Sequence, residues 1–369
     1  MDALLYLTFD SLQEGVGASQ ALAYVRKIAM RRPVRIVSFE KVMPGLKLIE
    51  SIQIQGISWT PLPFGKFGVI GGISRVARMW WIIDRREIIH ARGNLSALAA
   101  LLRSPKHWIW DCRSLHADQR RALSPGKKIT LSFVAMRFIE YLLAKRSSAI
   151  IVITHAVLPV FISRYKVPKE KISVISTCVD AERFSESPRT NNDAISILLA
   201  GTFSPAYDVD LMNKIIRRLK QHKSVWVTIA TSNGSTNAWE SFDFDELVSV
   251  PHDEMPRLVA ESDLGMSIWK NDLGVCLSSV ASTKSAEFLA TGRPIFINTL
   301  QGDLGSYVAE NSVGVATDGS SEIEIESYVN HMLKLLKDPE LGARCRSVAV
   351  NHFSLNEGVE NLLKIYDSF

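Results

Sequence analysis

The feature that most constrains this chain is an alternation, sustained from end to end, between short apolar runs of strand type and longer stretches with helical apolar spacing. In the first half the strand-like runs lie at 4–9, 34–39, 57–62, 87–91, 108–112, 149–154 and 172–176, with helical spacing at 18–30, 73–83, 95–102, 129–145 and 157–165. Residues 180–193 break the pattern with Pro188, two Asn and mixed charges, as a linker does. The alternation then restarts at 195–200, 225–230, 246–250, 264–268, 294–297 and 313–317, and three helical patterns follow Ser320. Strands that alternate with helices form a parallel sheet covered on both faces. At 369 residues the chain exceeds one typical domain. The expectation is an α/β protein of two Rossmann-like, doubly wound domains, 1–187 and 188–352, with a helix at 353–369 that crosses back to the first. Such sheets bind ligands at the carboxyl ends of their strands, so a pair of them is expected to face each other across a cleft that holds the site.

Composition excludes several classes. With 47% apolar and 22% charged residues the chain has an ordinary globular make-up. No stretch reaches the roughly 20 apolar residues of a spanning helix, and the run at 3–9 stops at Asp10, too short for a signal-peptide core. Cys112, Cys178, Cys276 and Cys345 lie far apart without metal-type or disulfide spacing, which fits a reducing cytoplasm and no metal. The net charge of +5 conceals an asymmetry: residues 1–185 carry 28 Lys+Arg against 13 Asp+Glu, the remainder 15 against 25. So basic a first half attracts anions, an anionic membrane surface or a phosphorylated substrate among them. Nucleic acid is set aside, since neither zinc-finger spacing nor an aromatic-rich ribbon is present. Attraction between the two halves is the alternative that needs no outside partner. Residues 73–86, with Trp80 and Trp81, and 127–146, with basic ends, read as core-packed helices or as helices that lean on an anionic membrane.

Residues 281–296 hold the densest functional signal. Ser282 and Thr283 read as N-cap residues of a short helix that Gly292 ends, and Pro294 opens a strand. A helix N-terminus offers free N–H groups and a positive dipole end; Lys284 adds a full charge there, and Glu287 shares its face one turn on. Together they suit a ligand with phosphate and hydroxyl groups, the plain alternative being a solvated surface helix. In the loop after the first strand, Gly15 and Gly17 let a backbone approach a phosphate or sugar closely. A dinucleotide fingerprint would want Gly where Gln20 stands, but Glu40 ends the second strand where a ribose-binding acid belongs, so a nicotinamide enzyme stays as an alternative, as does a flexible turn. Two neighbouring strand ends carry His90, Arg92, Gly93 and Asn94, and Asp111, Arg113, His116 and Asp118. Asp111 and Arg113 are read as lying on opposite sides of the strand or parted by a turn, so no ion pair is forced, although a loop-stabilising pair is the alternative. His116 either hydrogen-bonds a ligand or caps the next helix.

Assembled, these segments resemble the retaining glycosyltransferases of family 4, whose architecture is the two-Rossmann-domain GT-B fold. The resemblance runs through nearly the whole chain: the loop at 15–20, the strand ends at His90 and Asp111, Thr177 to Phe184, Ala200-Gly201-Thr202-Phe203, Val250-Pro251-His252, and above all Ser282-Thr283-Lys284-Ser285-Ala286-Glu287. It implies sugar transfer from a nucleotide-diphospho-sugar, with retained configuration and no metal or other cofactor, to a saccharide or lipid-linked acceptor in cell-surface polysaccharide synthesis. The setting it implies is cytoplasmic and peripheral at the inner face of the plasma membrane. By resemblance, Glu287 holds the donor ribose, and Lys284, with Ser282 and Thr283, neutralises the leaving diphosphate. Gly201, Thr202 and His252 border the donor; Gly15 and Gly17, with Arg113 as a third catalytic residue beside Lys284 and Glu287, face its phosphates and the acceptor; Gln20, Arg92, His116 and Asp118 are acceptor-side candidates. Two positions depart from the family: Ser279 stands where many members carry Glu, and the loop from Gly201 to Asp208 lacks their Arg and Lys. A subunit that binds a nucleotide-sugar without turning it over is the alternative these departures allow.

Overall fold

The computed structural model of the protein describes residues 3–53, 56–124, 126, 129–188, 193–201, 204–231 and 240–369, with the side chain of His252 outside that description. The chain divides into two compact units, Met1–Ser176 with Leu355–Phe369, and Thr177–Ser354.

The first unit is built on β1 (Leu4–Leu7), β2 (Val34–Glu40), β3 (Ile57–Pro63), β4 (Ile88–Arg92), β5 (His107–Cys112), β6 (Ala149–Val152) and β7 (Ile172–Val174). They form one parallel sheet in the order β3-β2-β1-β4-β5-β6-β7. Its helices are α1 (Ala23–Ala29), α2 (Leu46–Gln53), α3 (Gly68–Ile82), α4 (Asn94–Arg103), α5 (His116–Ala122), α6 (Leu131–Arg146) and α7 (Leu158–Tyr165). Every residue of β1 and β4 is buried, because helices cover both faces of a parallel sheet. The helix expected at 18–30 opens instead with a π-helical turn, Gly17–Leu22.

The second unit holds β8 (Ala194–Ala200), β9 (Ser224–Ala230), β10 (Glu246–Val248), β11 (Leu264–Ser267), β12 (Ile295–Asn298) and β13 (Gly314–Thr317), also all parallel, in the order β10-β9-β8-β11-β12-β13. Its helices are α8 (Val209–His222), α9 (Met255–Glu261), α10 (Thr283–Ala290), α11 (Leu304–Asn311), α12 (Glu322–Leu335) and α13 (Leu341–Phe353). The chain order reverses between β1 and β4 in one sheet and between β8 and β11 in the other, and these switch points are where such sheets open a crevice. Among the described residues, no helix is long and apolar enough to cross a membrane.

The units part between Ser176 and Thr177, earlier than the expected boundary at 187, and two arginines, Arg293 buried and Arg346 partly so, explain why. Arg346 donates to the carbonyls of Ala181 and Phe184, Arg293 to those of Ser187 and Pro188, and the Val179 N–H to Phe353 O, tying the supposed linker to the second unit. The last helix, α14 (Leu355–Asp367), belongs to the first unit. It packs on α1, with Arg31–Glu360 and Arg32–Asp367 ion pairs and a buried Tyr366.

Candidate functional site

Strand register builds the first cluster. β4 lies beside β5 so that Arg92 stands opposite Asp111, and beside β1 so that His90 stands opposite Tyr6. Residues two apart along a strand share a face, so Asp111 and Arg113 point the same way rather than to opposite sides, and they pair at 3.3 Å. Asp111 also meets His90 Nε2 at 3.2 Å and Arg92 Nη1 at 3.6 Å, while Arg92 Nε donates to Asp10 at 3.2 Å. Burial pushes the Asp111 carboxyl up, but the Arg113 charge and the His90 hydrogen bond outweigh it and hold the group well below the usual carboxylate range. Burial also lowers the His90 pKa, so the imidazole is neutral at pH 7. A carboxylate can only accept, so Nε2 carries the ring proton and Nδ1 accepts from the Tyr366 hydroxyl at 2.8 Å. Tyr6 stacks on the His90 ring at 4.3 Å, its phenol pushed up to about 12 chiefly by burial.

The glycine loop meets this cluster through Gln20, whose Oε1 accepts from Arg113 Nη2 at 3.5 Å. Gln20 lies in the π-helical turn, which re-aims its side chain relative to an α-helix. Gly15 turns the chain at φ 55°, and at Gly17 any Cβ would sit 1.9 Å from the Ser11 carbonyl oxygen. Glu40 fixes the loop from beneath. Fully buried, it accepts from Ser38 Oγ and the Leu12 N–H through Oε1, and from Ser11 Oγ and Gln13 Nε2 through Oε2. Both oxygens are thus spent on the protein, and the nicotinamide alternative loses its ribose acid.

Asp10, Arg92, Asn94, Arg113 and His116 line a pocket at the ends of β4 and β5. His116 is exposed and opens α5 without capping it through its side chain. Asp118 leaves the acceptor-side set. Nearly buried, it takes ion pairs from Arg137 at 2.5 Å and Arg164 at 2.6 Å and so braces α5 against α6 and α7.

In the second unit, Ser282 caps α10 by accepting from the Ser285 N–H at 3.4 Å, which leaves Thr283 as the first helical residue rather than a second cap. Lys284 Nζ donates to Glu287 Oε2 at 2.9 Å, with Glu287 buried and Lys284 partly so. The helix reaches that depth because Gly265 of β11 makes room for Phe288; a Cβ there would lie 2.5 Å from its ring. Gly201, at φ 133° just after β8, lies beside Lys284, whose Cγ is 4.0 Å from where a Gly201 Cβ would stand. The β8–β11 switch point therefore gathers Gly201, Lys284 and Glu287. Ser285 Oγ is buried beside them with no partner among the described residues. Thr202 lies outside the described residues, and His252 opens a 3-10 turn, His252–Glu254. Ser279 is buried and donates to the Cys276 carbonyl at 2.9 Å.

Three further residues shape this crevice. Tyr207 packs on Trp269 at 5.0 Å between ring centroids, and the buried Asn298 accepts from the Trp269 N–H and donates to the Trp269 carbonyl. Their only signal in the sequence is position: Asn298 ends β12, Trp269 follows β11 by two residues, and Tyr207 lies in the loop after β8. Among the described residues, no group of three or more His, Cys, Asp and Glu is placed to hold a metal ion.

Two parallel doubly wound sheets in one chain, each with polar residues at its switch point, define the class as the GT-B fold. Residues 32–183 match the family model described as Glycosyltransferase Family 4. Among solved structures, the chain is similar to Anabaena HepE in complex with UDP and glucose, at 15% identity and TM-score 0.74 with 100% of both chains covered. It is likewise similar to sucrose-phosphate synthase from Thermosynechococcus elongatus (12%, TM-score 0.72, 100% and 99% covered). A third is S. aureus TarM in complex with fondaparinux, α-GlcNAc-glycerol and UDP (10%, TM-score 0.71, 99% and 100% covered). Compared with curated proteins by sequence, the chain has no match. The structural likenesses carry the fold alone, and over residues 32–183, less than half of the chain, the sequence is similar to Glycosyltransferase Family 4.

Proposed function

We propose that the protein transfers a sugar, with retained anomeric configuration, from a nucleotide-diphospho-sugar to a saccharide or lipid-linked acceptor of cell-surface polysaccharide synthesis, at the cytoplasmic face of the membrane. The observation that carries the donor half is the Lys284–Glu287 pair at the start of α10, set beside Gly201 at the switch point. A buried carboxylate there accepts from a ribose diol, and the ammonium, beside the N–H groups of Thr283 and Lys284 in the first turn, neutralises the diphosphate as it departs. In the transfer the bond from the anomeric carbon to the phosphate oxygen breaks and the bond to the acceptor oxygen forms. The acceptor's proton passes to the departing phosphate, so no protein base is required. Arg92, Arg113, His116 and Gln20 of the first unit are assigned to the acceptor, with Arg113 held by Asp111 as the fixed positive charge of that pocket. The HepE and TarM structures hold UDP, which makes uridine diphosphate the first nucleotide to test.

The test is release of nucleoside diphosphate from a panel of nucleotide-sugars with candidate acceptors, and the anomeric configuration of the product by NMR. Glu287→Gln, which keeps size and a hydrogen bond to Lys284, and Lys284→Met are each expected to lower kcat by about 100-fold or more with the fold intact. Undiminished turnover in both variants overturns the site assignment.

A further inference from the structure

We propose that the outer face of α3, α4 and α6 is a docking surface for an anionic lipid bilayer and that the acceptor reaches the pocket from that bilayer on a lipid anchor; the second part rests on the assignment of the strand-end pocket to the acceptor. α3 and α6 each pack against α4, so the three form one layer on one face of the first unit's sheet. Two of them are apolar on the outer face as well as the inner one, where α3 buries Val76 and Met79 and α6 buries Leu143 and Ala144, and each turns one charged residue inward. α6 turns Glu140 inward, where its carboxylate is buried and accepts from the Ala117 N–H and the Tyr165 hydroxyl. Its outward stripe is Leu131, Val134 and Phe138, exposed by 86%, 52% and 60%. α3 likewise buries Arg75 against the carbonyls of Phe64 and Lys66 while Ile70, Ile73 and Trp81 stand in solvent, Trp81 at 76%. α4 between them presents Leu95 and Leu102 outward. Isolated exposed hydrophobics are ordinary, but matching stripes on three adjacent helices are not.

Charge decides what covers this face. Glu140 is the only acidic residue within the three helices, and it is buried, so none of them offers an exposed negative charge. Basic residues border the stripes: Arg103 lies over the Trp80 ring and Lys145 over the Tyr141 ring, while just beyond α3 the almost fully exposed Arg86 faces Asp84 at 3.9 Å. An aromatic and aliphatic face rimmed by long cations fits a headgroup layer over acyl chains. Pairing with a second copy would set like charges against each other. The pocket adjoins the same edge. In a parallel sheet with crossover helices, helix N-termini lie at the carboxyl ends of the strands, and Leu95, which starts the outward stripe of α4, also lines the pocket with Arg92 and Arg113.

The experiment is co-sedimentation of the full chain with vesicles of phosphatidylcholine alone or with phosphatidylglycerol at about one part in three, at low and high salt. Strong binding to the anionic vesicles, weakened by salt, is expected, with at least a tenfold loss in a Trp81→Glu, Phe138→Glu double variant. Circular dichroism and nucleotide-induced thermal shifts unchanged from the parent would show that the double variant is folded and that its second unit still binds. Absence of binding, equal binding by the variant, or a dimer that the variant dissolves while vesicles are ignored would each overturn the proposal. Vesicle binding with no sugar transfer to any acceptor would overturn the functional reading and leave the docking surface standing. Transfer that proceeds equally well to a soluble acceptor with and without vesicles would overturn the anchored-acceptor part.

Discussion

Asp111 is the residue around which the first unit's site is ordered, since Arg113, Arg92 and His90 all converge on its carboxylate. The neutral His90 makes this order sensitive to pH. Its folded-state pKa lies below the ordinary value of about 6.5, so the unfolded chain binds a proton the native state refuses, and stability is full above that value and falls as pH drops below it. Asp111, also depressed, adds a second loss as pH falls below about 4. Urea midpoints of the first unit are therefore expected to fall between pH 7.5 and 5.5, and to fall less in His90→Gln; an equal fall in both contradicts the assignment. Tyr366→Phe, which strands the buried His90 Nδ1, is expected to cost about 1–2 kcal/mol by the same measurement.

At the scale of elements, α10 is held in place by a cap at one end and a glycine beneath its middle. Ser282→Ala is expected to cost about 1 kcal/mol of second-unit stability. Gly265→Ala drives a methyl into the Phe288 ring, and is expected to cost about 1–3 kcal/mol and to weaken nucleotide binding as α10 shifts; unchanged affinity would contradict a site that depends on the depth of α10. The strands were legible in the sequence because fully buried parallel strands are continuous apolar runs, and the capped start at Ser282 was legible because N-cap chemistry is local. Tertiary choices were not. The π-helical turn at Gly17–Leu22 has no periodic signature, and three of the partners of Glu40, at Ser11, Leu12 and Gln13, come from a loop far away in sequence. Helical periodicity in α3 and α6 marked two-faced helices but not which face is covered, because Arg75 and Glu140 turned inward against the usual preference. Asp118 read as a site residue, but its partners Arg137 and Arg164 come from helices whose packing no local pattern encodes.

At the scale of the whole molecule, the chain is two Rossmann-like units, with α14 returned to the first. Truncation after Ser354 removes Tyr366 and its contact with His90. It is expected to lower hydrogen-exchange protection across β1, β4 and β5 while β8 and β11 keep theirs; a uniform loss in both units would contradict the division. The charge asymmetry has its counterpart in structure, since the basic first unit carries the apolar helical face and the acidic second unit carries Lys284 and Glu287 on α10. The most direct measurement of the donor assignment is a thermal-shift titration with nucleoside diphosphates, UDP first, on the parent chain and on Glu287→Gln. A ligand at about a hundredfold its Kd is expected to raise the second unit's Tm by roughly 5–10 °C in the parent and far less in the variant. No shift with any nucleoside diphosphate, or the same shift in both proteins, would contradict the placement of the donor at Lys284 and Glu287.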